Sequence, residues 1–231
     1  MAVSALIYGG LFHSAPPTRR RHAKGGRFRA AAGIVGPAAF TAAWIAESLR
    51  QSGHDVMSFQ ISGLAAPDAK DSWIMITGFV TLGGCAVVFG HELRREFAGP
   101  APRLIQVAGV LAVAAGVLRR DHMPLTTGHV SWHNQAHNVI SLLIYACLVA
   151  FQLLLARGFR ANPSWHRWHP WLLASGAATA AVMAVFIPNT SSPEAGALQR
   201  IAVSIPLVAM SAVAARLIKL NGREAVCHLS E

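Results

Sequence analysis

Long apolar stretches alternate with short polar segments along the whole chain. An α-helix needs about 20 mostly apolar residues to cross the hydrocarbon core of a bilayer. Six stretches meet that requirement, at residues 28–49, 72–93, 101–118, 138–155, 168–187 and 197–217. The pattern therefore predicts an all-α fold, namely a polytopic bundle of six transmembrane helices.

Composition supports a membrane protein and leaves little room for a separate soluble domain. The chain has 231 residues, of which 53% are hydrophobic and 13% charged, whereas soluble domains carry about 25% charged residues. We divide it into a basic tail (1–27), a membrane domain (28–220) and a C-terminal tail (221–231). The three cysteines are too few and too scattered for a disulfide framework or a thiolate zinc site.

The net charge of +10 is a topology signal rather than a nucleic-acid signal. If the six stretches span the membrane, 15 of the 20 Lys and Arg residues lie on the side that holds both termini. The positive-inside rule then places both termini in the cytoplasm. We therefore expect a multi-pass protein of the inner (plasma) membrane. No nucleic-acid-binding motif accompanies the charge, so the expected partners are membrane lipids. Arg outnumbers Lys seventeen to three and Ala is abundant, which suggests a bacterial source.

The middle of each predicted span lacks Asp, Glu, Lys and Arg. Proton-coupled transporters and pumps usually keep such residues at mid-membrane depth. The pattern therefore disfavours a transporter.

Polar residues concentrate in the three loops opposite the termini. His133 and His137 are four residues apart at the predicted start of the fourth span, so a helix would place both imidazoles on one face. Such a pair is a familiar zinc half-site. Asp121 could serve as a third ligand or as a general base. Alternatively, these histidines cap helices, bond loop backbone or face lipid head groups. A further interpretation is axial ligation of a haem, which would need a second histidine at similar depth on another span. Two further histidines of the same loop are His122 and His129.

Arg200 opens the sixth span and has two interpretations. It pairs with a loop carboxylate such as Asp55 or Asp121, or it clamps the phosphate or carboxylate of a lipid. The second interpretation predicts a polar ligand-binding pocket. The predicted ligand contacts are Asp55, Ser58, Ser62, Asp121 and Arg200.

Three motifs resemble those of a bacterial integral-membrane family known as domain of unknown function 998. They are DVMSFQISGL followed by SWIMITGFVTLGG, then AGVLRRD followed by SWHNQAH, and GALQR. The resemblance covers about residues 28–220 and implies an integral membrane protein without an established reaction. His122 follows Asp121 where the family tends to have Pro and a longer loop. The matching positions are Ser58, Ile61, Ser62, Asp121, His133, His137 and Arg200.

Three functions remain open at this point. The first is binding of a lipid or lipid-linked ligand in an outward-facing polar pocket. The second is a metal-dependent membrane hydrolase that uses zinc on His133 and His137. The third is a structural or signalling membrane protein without a small-molecule site.

Overall fold

Six α-helices make up almost all of the part of the chain that the structure describes. The computed structural model describes residues 22–121 and 130–227, so His122 and His129 of the second polar loop lie outside it. That part contains helices and connecting segments and no strand. The helices are α1 (His22–Arg50), α2 (Trp73–Glu96), α3 (Ala101–Val117), α4 (Trp132–Ala161), α5 (His169–Phe186) and α6 (Ala195–Cys227).

The helices form a closed ring, because each packs against the next in the chain and α6 packs against α1. Five of them are long and apolar enough to cross a membrane. The remaining helix, α3, is apolar but has only 17 residues. The prediction of an all-α bundle of six helices is confirmed.

The two ends of the ring differ. One end, which we call the basic end, holds the start of α1, the end of α6 and the short connections 97–100 and 162–168. The other end, the long-loop end, holds the connections 51–72, 118–131 and 187–194.

Helices α4 and α6 extend well beyond their apolar stretches. Helix α4 begins at Trp132, six residues before the predicted span, because Ser131 caps it by accepting a hydrogen bond from the backbone N–H of Asn134. Once a cap satisfies the first amides, polar residues continue a helix as well as apolar ones do. Apolar length therefore gives the membrane-spanning part of a helix and not its ends.

Glycines set the close packing of α2 on α3. A Cβ atom on Gly83 would lie 2.4 Å from the carbonyl oxygen of Gly109, and one on Gly109 would lie 2.5 Å from that of Gly83. The two backbones therefore meet where both residues lack a side chain. Such contacts drive helix association in lipid, where the hydrophobic effect between helices is absent.

The connection from α1 to α2 folds into the mouth of the ring. It contains a short 3-10 helix, Ile61–Ala65, whose Ile61 and Leu64 are both only 2% exposed. These side chains join a core cluster with Phe40 and Phe79. We call the whole connection 51–72 the plug, because its 3-10 helix packs into the core at the long-loop end of the ring.

Candidate functional site

A polar pocket lies beside the plug, between α4, α5 and α6. Its volume is about 430 Å³, within the range typical of small-ligand sites. The plug contributes Ser62, and the α3–α4 connection contributes Arg120. The other polar lining residues are Gln60, Asn134, His137, Asn138, Ser141, Tyr145, Thr190, Ser191 and Gln199.

The polar pocket also has an apolar, surface-facing side. Leu142 of α4 and Ile187 after α5 both line it, and they are 51% and 49% exposed. Both belong to segments that are apolar enough to cross a membrane. The pocket therefore joins polar groups inside the ring to apolar groups on its outer surface.

Two further cavities adjoin the polar pocket. Towards the ring centre lies an inner cavity of about 70 Å³ with mostly apolar walls, and four residues line both spaces: Ser62, Ser141, Tyr145 and Gln199. Towards the loops lies an outer pocket of about 540 Å³, which shares Gln60, Arg120, Thr190 and Ser191 with the polar pocket.

Arg120 is the buried cation of this site, with 8% exposure. Its guanidinium donates hydrogen bonds to the side-chain oxygens of Gln60, Ser62 (3.2 Å) and Asn134 (3.4 Å). Gln60 in turn donates to the carbonyl oxygen of Thr190 at 2.6 Å. Burial lowers the pKa of Arg120, while the carboxylate of Asp121 raises it. The network ties the plug, α4 and the α5–α6 connection to one positive charge.

Asp121 supports the start of α4. Its two carboxylate oxygens accept hydrogen bonds from the hydroxyl and the backbone N–H of Ser131, the second at 2.7 Å. These bonds hold the pKa of the Asp121 carboxyl below its usual value. Since Ser131 is the N-cap of α4, Asp121 fixes the capping residue.

His137 is buried where α4 meets the end of α3. Its Nδ1 lies 3.0 Å from the carbonyl oxygen of Ala115 and 2.7 Å from that of Leu118. Carbonyl oxygens only accept hydrogen bonds, so Nδ1 carries a proton and donates it. The other ring nitrogen, Nε2, is buried without a hydrogen-bond partner, and the residue lines the polar pocket.

His133 has a different environment from His137. It is exposed and its ring stacks on Trp132, with centroids 3.6 Å apart. Among the described residues, no group of three or more His, Cys, Asp or Glu side chains is placed to hold a metal ion. The structure therefore gives the two histidines different surroundings, one exposed and the other buried.

Arg200 holds the backbone of the plug segment against α6. It donates to the carbonyl oxygens of Val56 (2.8 Å) and Phe59 (2.7 Å), and it lies over the ring of Trp44 at 5.3 Å from the centroid. Gly196 lets this backbone come close, because a Cβ there would lie 2.5 Å from the carbonyl oxygen of Phe59. Arg200 thus binds backbone carbonyls, not the carboxylate of Asp55 or Asp121 that the sequence suggests.

Asp55 closes a turn at the start of the plug segment. One carboxylate oxygen accepts from the backbone N–H of Met57 at 3.0 Å and the other from the Ser58 hydroxyl at 2.8 Å. These two bonds lower the pKa of Asp55.

The predicted site residues therefore fall into two groups. Ser62 and His137 line the polar pocket, and Ser58 lines the outer pocket. The structure places the other four elsewhere, in caps, turns and backbone contacts or at the surface: Asp55, Asp121, His133 and Arg200.

Sequence reasoning missed the main polar groups of the pocket, namely Gln60, Arg120, Asn134 and Gln199. All four lie inside or next to the three motifs quoted above. Arg120 precedes Asp121 and follows another Arg, which is typical of a solvated loop. The GALQR motif contains two polar residues with different surroundings: Gln199 lines the polar pocket, whereas Arg200 contacts backbone carbonyls of the plug.

Comparison with known proteins gives the family alone. No curated protein and no solved structure matches the chain. The sequence profile of a family described as "Protein of unknown function (DUF998)" matches residues 34–216, which include the plug, the polar pocket and most of all six helices. The chain therefore belongs to the DUF998 family of proteins of unknown function.

Proposed function

We propose that the protein binds a lipid or lipid-linked molecule through the polar pocket. The observation that carries this proposal is the composition of the pocket wall. A buried cation and neutral polar groups lie at one side, and the half-exposed Leu142 and Ile187 lie at the other. A molecule with a polar head and an apolar tail matches both sides at once.

The sizes of the spaces agree with this arrangement. The polar pocket of about 430 Å³ is large enough for a head group, whereas the inner cavity of about 70 Å³ has room for only a few methylene groups. The head would therefore occupy the polar pocket, and the chains would lie along the outer surface of α4 and α5.

The proposal includes an orientation. The positive-inside rule favours the basic end in the cytoplasm, so the long-loop end and the pocket would face the outer leaflet. The ligand is then a lipid or lipid-linked molecule of that leaflet.

Native mass spectrometry of the detergent-purified protein tests the binding. We expect the wild type to retain about one lipid per chain. Ser141→Leu places a larger apolar side chain where the polar pocket meets the inner cavity, and it should reduce the retained lipid at least several-fold.

The matched control is Ser204→Leu, because Ser204 is also a half-buried serine and lies outside the three cavities described. It should retain lipid as the wild type does. Equal retention by wild type and Ser141→Leu, with both proteins folded by thermal unfolding, would contradict the proposal.

A metal-dependent hydrolase is the second candidate, and His137 is the observation that favours it. Its Nε2 is buried and without a partner, which is a state in which imidazole binds zinc. His133 would have to leave its stacking contact with Trp132 to join it. Elemental analysis separates the candidates: about one zinc per chain, lost in His133→Ala, would support the hydrolase.

A further inference from the structure

His54 of the plug contacts the guanidinium that binds the plug backbone. Its ring nitrogen Nε2 lies 3.2 Å from Nη2 of Arg200. A guanidinium carries donors only, so Nε2 must accept this hydrogen bond through its lone pair. The contact therefore requires the neutral form of the imidazole, because both nitrogens of an imidazolium are donors.

The same guanidinium holds the plug against α6. Nη1 of Arg200 donates to the carbonyl oxygens of Val56 and Phe59. Close by, the backbone N–H of Ala197 donates to the carbonyl oxygen of Met57 at 2.9 Å. A change of charge beside the guanidinium therefore acts at the point where the plug backbone meets α6.

The charged groups that act on the His54 ring come from α6 and from the plug itself. Arg200 lies on α6, and Asp55 is the next residue of the plug. A protonated ring would be repelled by the guanidinium of Arg200 and attracted by the carboxylate of Asp55. Protonation therefore favours movement of the ring away from α6.

Helix α1 adds a neutral group at this point. The hydroxyl of Ser48 lies 3.4 Å from the same guanidinium. The charged side chains of α1 at this end have other partners, since Glu47 accepts from Gln51 and Arg50 pairs with Asp71. The contact between His54 and α6 is thus the titratable one.

His54 is placed to receive protons from the outer pocket. Its half-buried side chain lines that pocket, whose charged lining residues are Asp68 and Arg120. Burial and the charge of Arg200 lower the pKa of His54, while Asp55 raises it. The ring is therefore neutral at pH 7 and takes up a proton below the ordinary histidine pKa of about 6.5.

We propose that protonation of His54 at Nε2 breaks its hydrogen bond to Arg200 and loosens the plug from α6. The plug is then held at neutral pH and released as the pH falls through the range in which histidines titrate. Because the plug supplies Gln60 and Ser62 to the wall of the polar pocket, its release alters that wall. The proposal concerns the contact of the plug and does not depend on the ligand of the pocket.

Hydrogen–deuterium exchange of the detergent-purified protein, read at single residues, tests this contact. The reporter is the amide of Ala197, which lies in the first turn of α6 and donates to the plug. The informative variant is His54→Gln, because the side-chain oxygen of Gln accepts a hydrogen bond without titrating. At pH 7.5 this amide should exchange equally fast in both proteins. At pH 5 it should exchange about fivefold faster in the wild type, as expected for the loss of one hydrogen bond.

Two further variants complete the comparison. His54→Leu removes the acceptor, so the Ala197 amide should exchange faster than in the wild type already at pH 7.5. His91→Gln is the matched control, since His91 is exposed and lies on α2 towards the basic end. It should keep the pH dependence of the wild type.

Equal exchange of the wild type and His54→Gln at pH 5 would overturn the proposal. Wild-type exchange in His54→Leu at pH 7.5 would overturn it too, because the bond would then not hold the plug.

Thermal unfolding gives an independent readout. Because the folded chain binds fewer protons at His54 than the unfolded chain, the stabilisation is present above a pH of about 6.5 and is lost as pH falls through the lower folded pKa. The Tm of His54→Gln should therefore fall less than that of the wild type between pH 7.5 and pH 5. Parallel Tm curves would count against a titrating contact at this position.

Discussion

Arg120 and Arg200 show how differently two arginines act at one end of the same bundle. Arg200 donates to the backbone carbonyls of Val56 and Phe59, so its hydrogen bonds hold the chain in place. Arg120 donates to neutral side chains that line a pocket. We therefore expect Arg200 to act mainly on stability, whereas Arg120 is part of the wall of the polar pocket.

Replacing Arg200 should cost stability rather than binding. Arg200→Met leaves at least two carbonyl oxygens without their charged donor, which costs about 1.5–3 kcal/mol. Thermal unfolding in detergent should show a clear drop in Tm, with Arg200→Lys intermediate. At a temperature where the variant is folded, lipid retention should be unchanged. Loss of lipid at unchanged Tm would contradict this assignment.

The lowered pKa of Asp121 makes the free energy of unfolding depend on pH in the acid range. Its pKa is lowered by Ser131 in the folded chain, so the folded state binds fewer protons than the unfolded state. The stabilisation is fully present above the unfolded pKa of about 4 and is lost as pH falls through the lower folded pKa.

The measurement is Tm between pH 6 and pH 3, for wild type and Asp121→Asn. The variant should lose less Tm over this range, because it lacks the titrating group. Asp55 and Asp71 also have lowered pKa values, but their contribution is common to both proteins. Parallel curves would show that the contacts of Asp121 with Ser131 do not stabilise the fold.

The crossing of α2 and α3 is a close approach of two helix backbones. Gly83 and Gly109 face each other there, whereas a Cβ on the neighbouring Gly84 would lie more than 4 Å from every described atom outside its own stretch of helix. Two adjacent glycines in one helix therefore have opposite roles, one in packing and one on an open side.

These glycines make a matched pair of variants. Gly83→Ala should lower Tm markedly, because its Cβ meets the carbonyl of Gly109 and the helices must separate. Gly84→Ala should leave Tm unchanged or raise it slightly, since Ala stabilises a helix by about 1 kcal/mol relative to Gly. Equal effects of the two variants would mean that the close crossing is absent.

The elements were largely predictable from the sequence, whereas the site was predictable only in part. Apolar length identifies helices because a bilayer requires about 20 residues of it. The His133–His137 spacing predicts a shared face, and α4 begins at Trp132, so His133 lies in the first turn of the helix, where its side chain is exposed. His137 lies one turn deeper, against the carbonyls of α3. Which of the two turns is exposed depends on where the helix begins, and apolar length does not give that position.

The path of the plug explains why the sequence did not predict Gln60, Arg120 and Gln199 as pocket residues. Gln60 and Arg120 meet although they are 60 residues apart, and Gln199 and Ser62 meet across 137 residues. Such meetings depend on how a polar connection folds into the ring. No local pattern in the 51–72 segment encodes that path.

In the part of the molecule that the structure describes, most Lys and Arg residues lie at one end and the polar cavities at the other. Of the Lys and Arg residues that the structure describes, about two thirds lie at the basic end, and the polar and outer pockets lie at the long-loop end. We propose that this asymmetry orients the bundle in the membrane.

Cysteine labelling in whole cells tests the orientation. In a chain with its natural cysteines replaced, Ser52→Cys at the long-loop end should react with a membrane-impermeant maleimide. Ala98→Cys at the basic end should react only after the cells are permeabilised. Both positions are exposed, so access is decided by the membrane. The reverse pattern would invert the bundle.

The contact between α1 and α6 has a consequence for how the chain can be connected. Helices α1 and α6 close the ring, and the start of α1 lies beside the end of α6 at the basic end. A short linker could therefore join residue 222 to residue 25. New termini could then be opened between Ala98 and Gly99, in the connection at the same end. Such a circular permutant keeps every helix beside its present neighbours, and we expect it to fold with the same pocket.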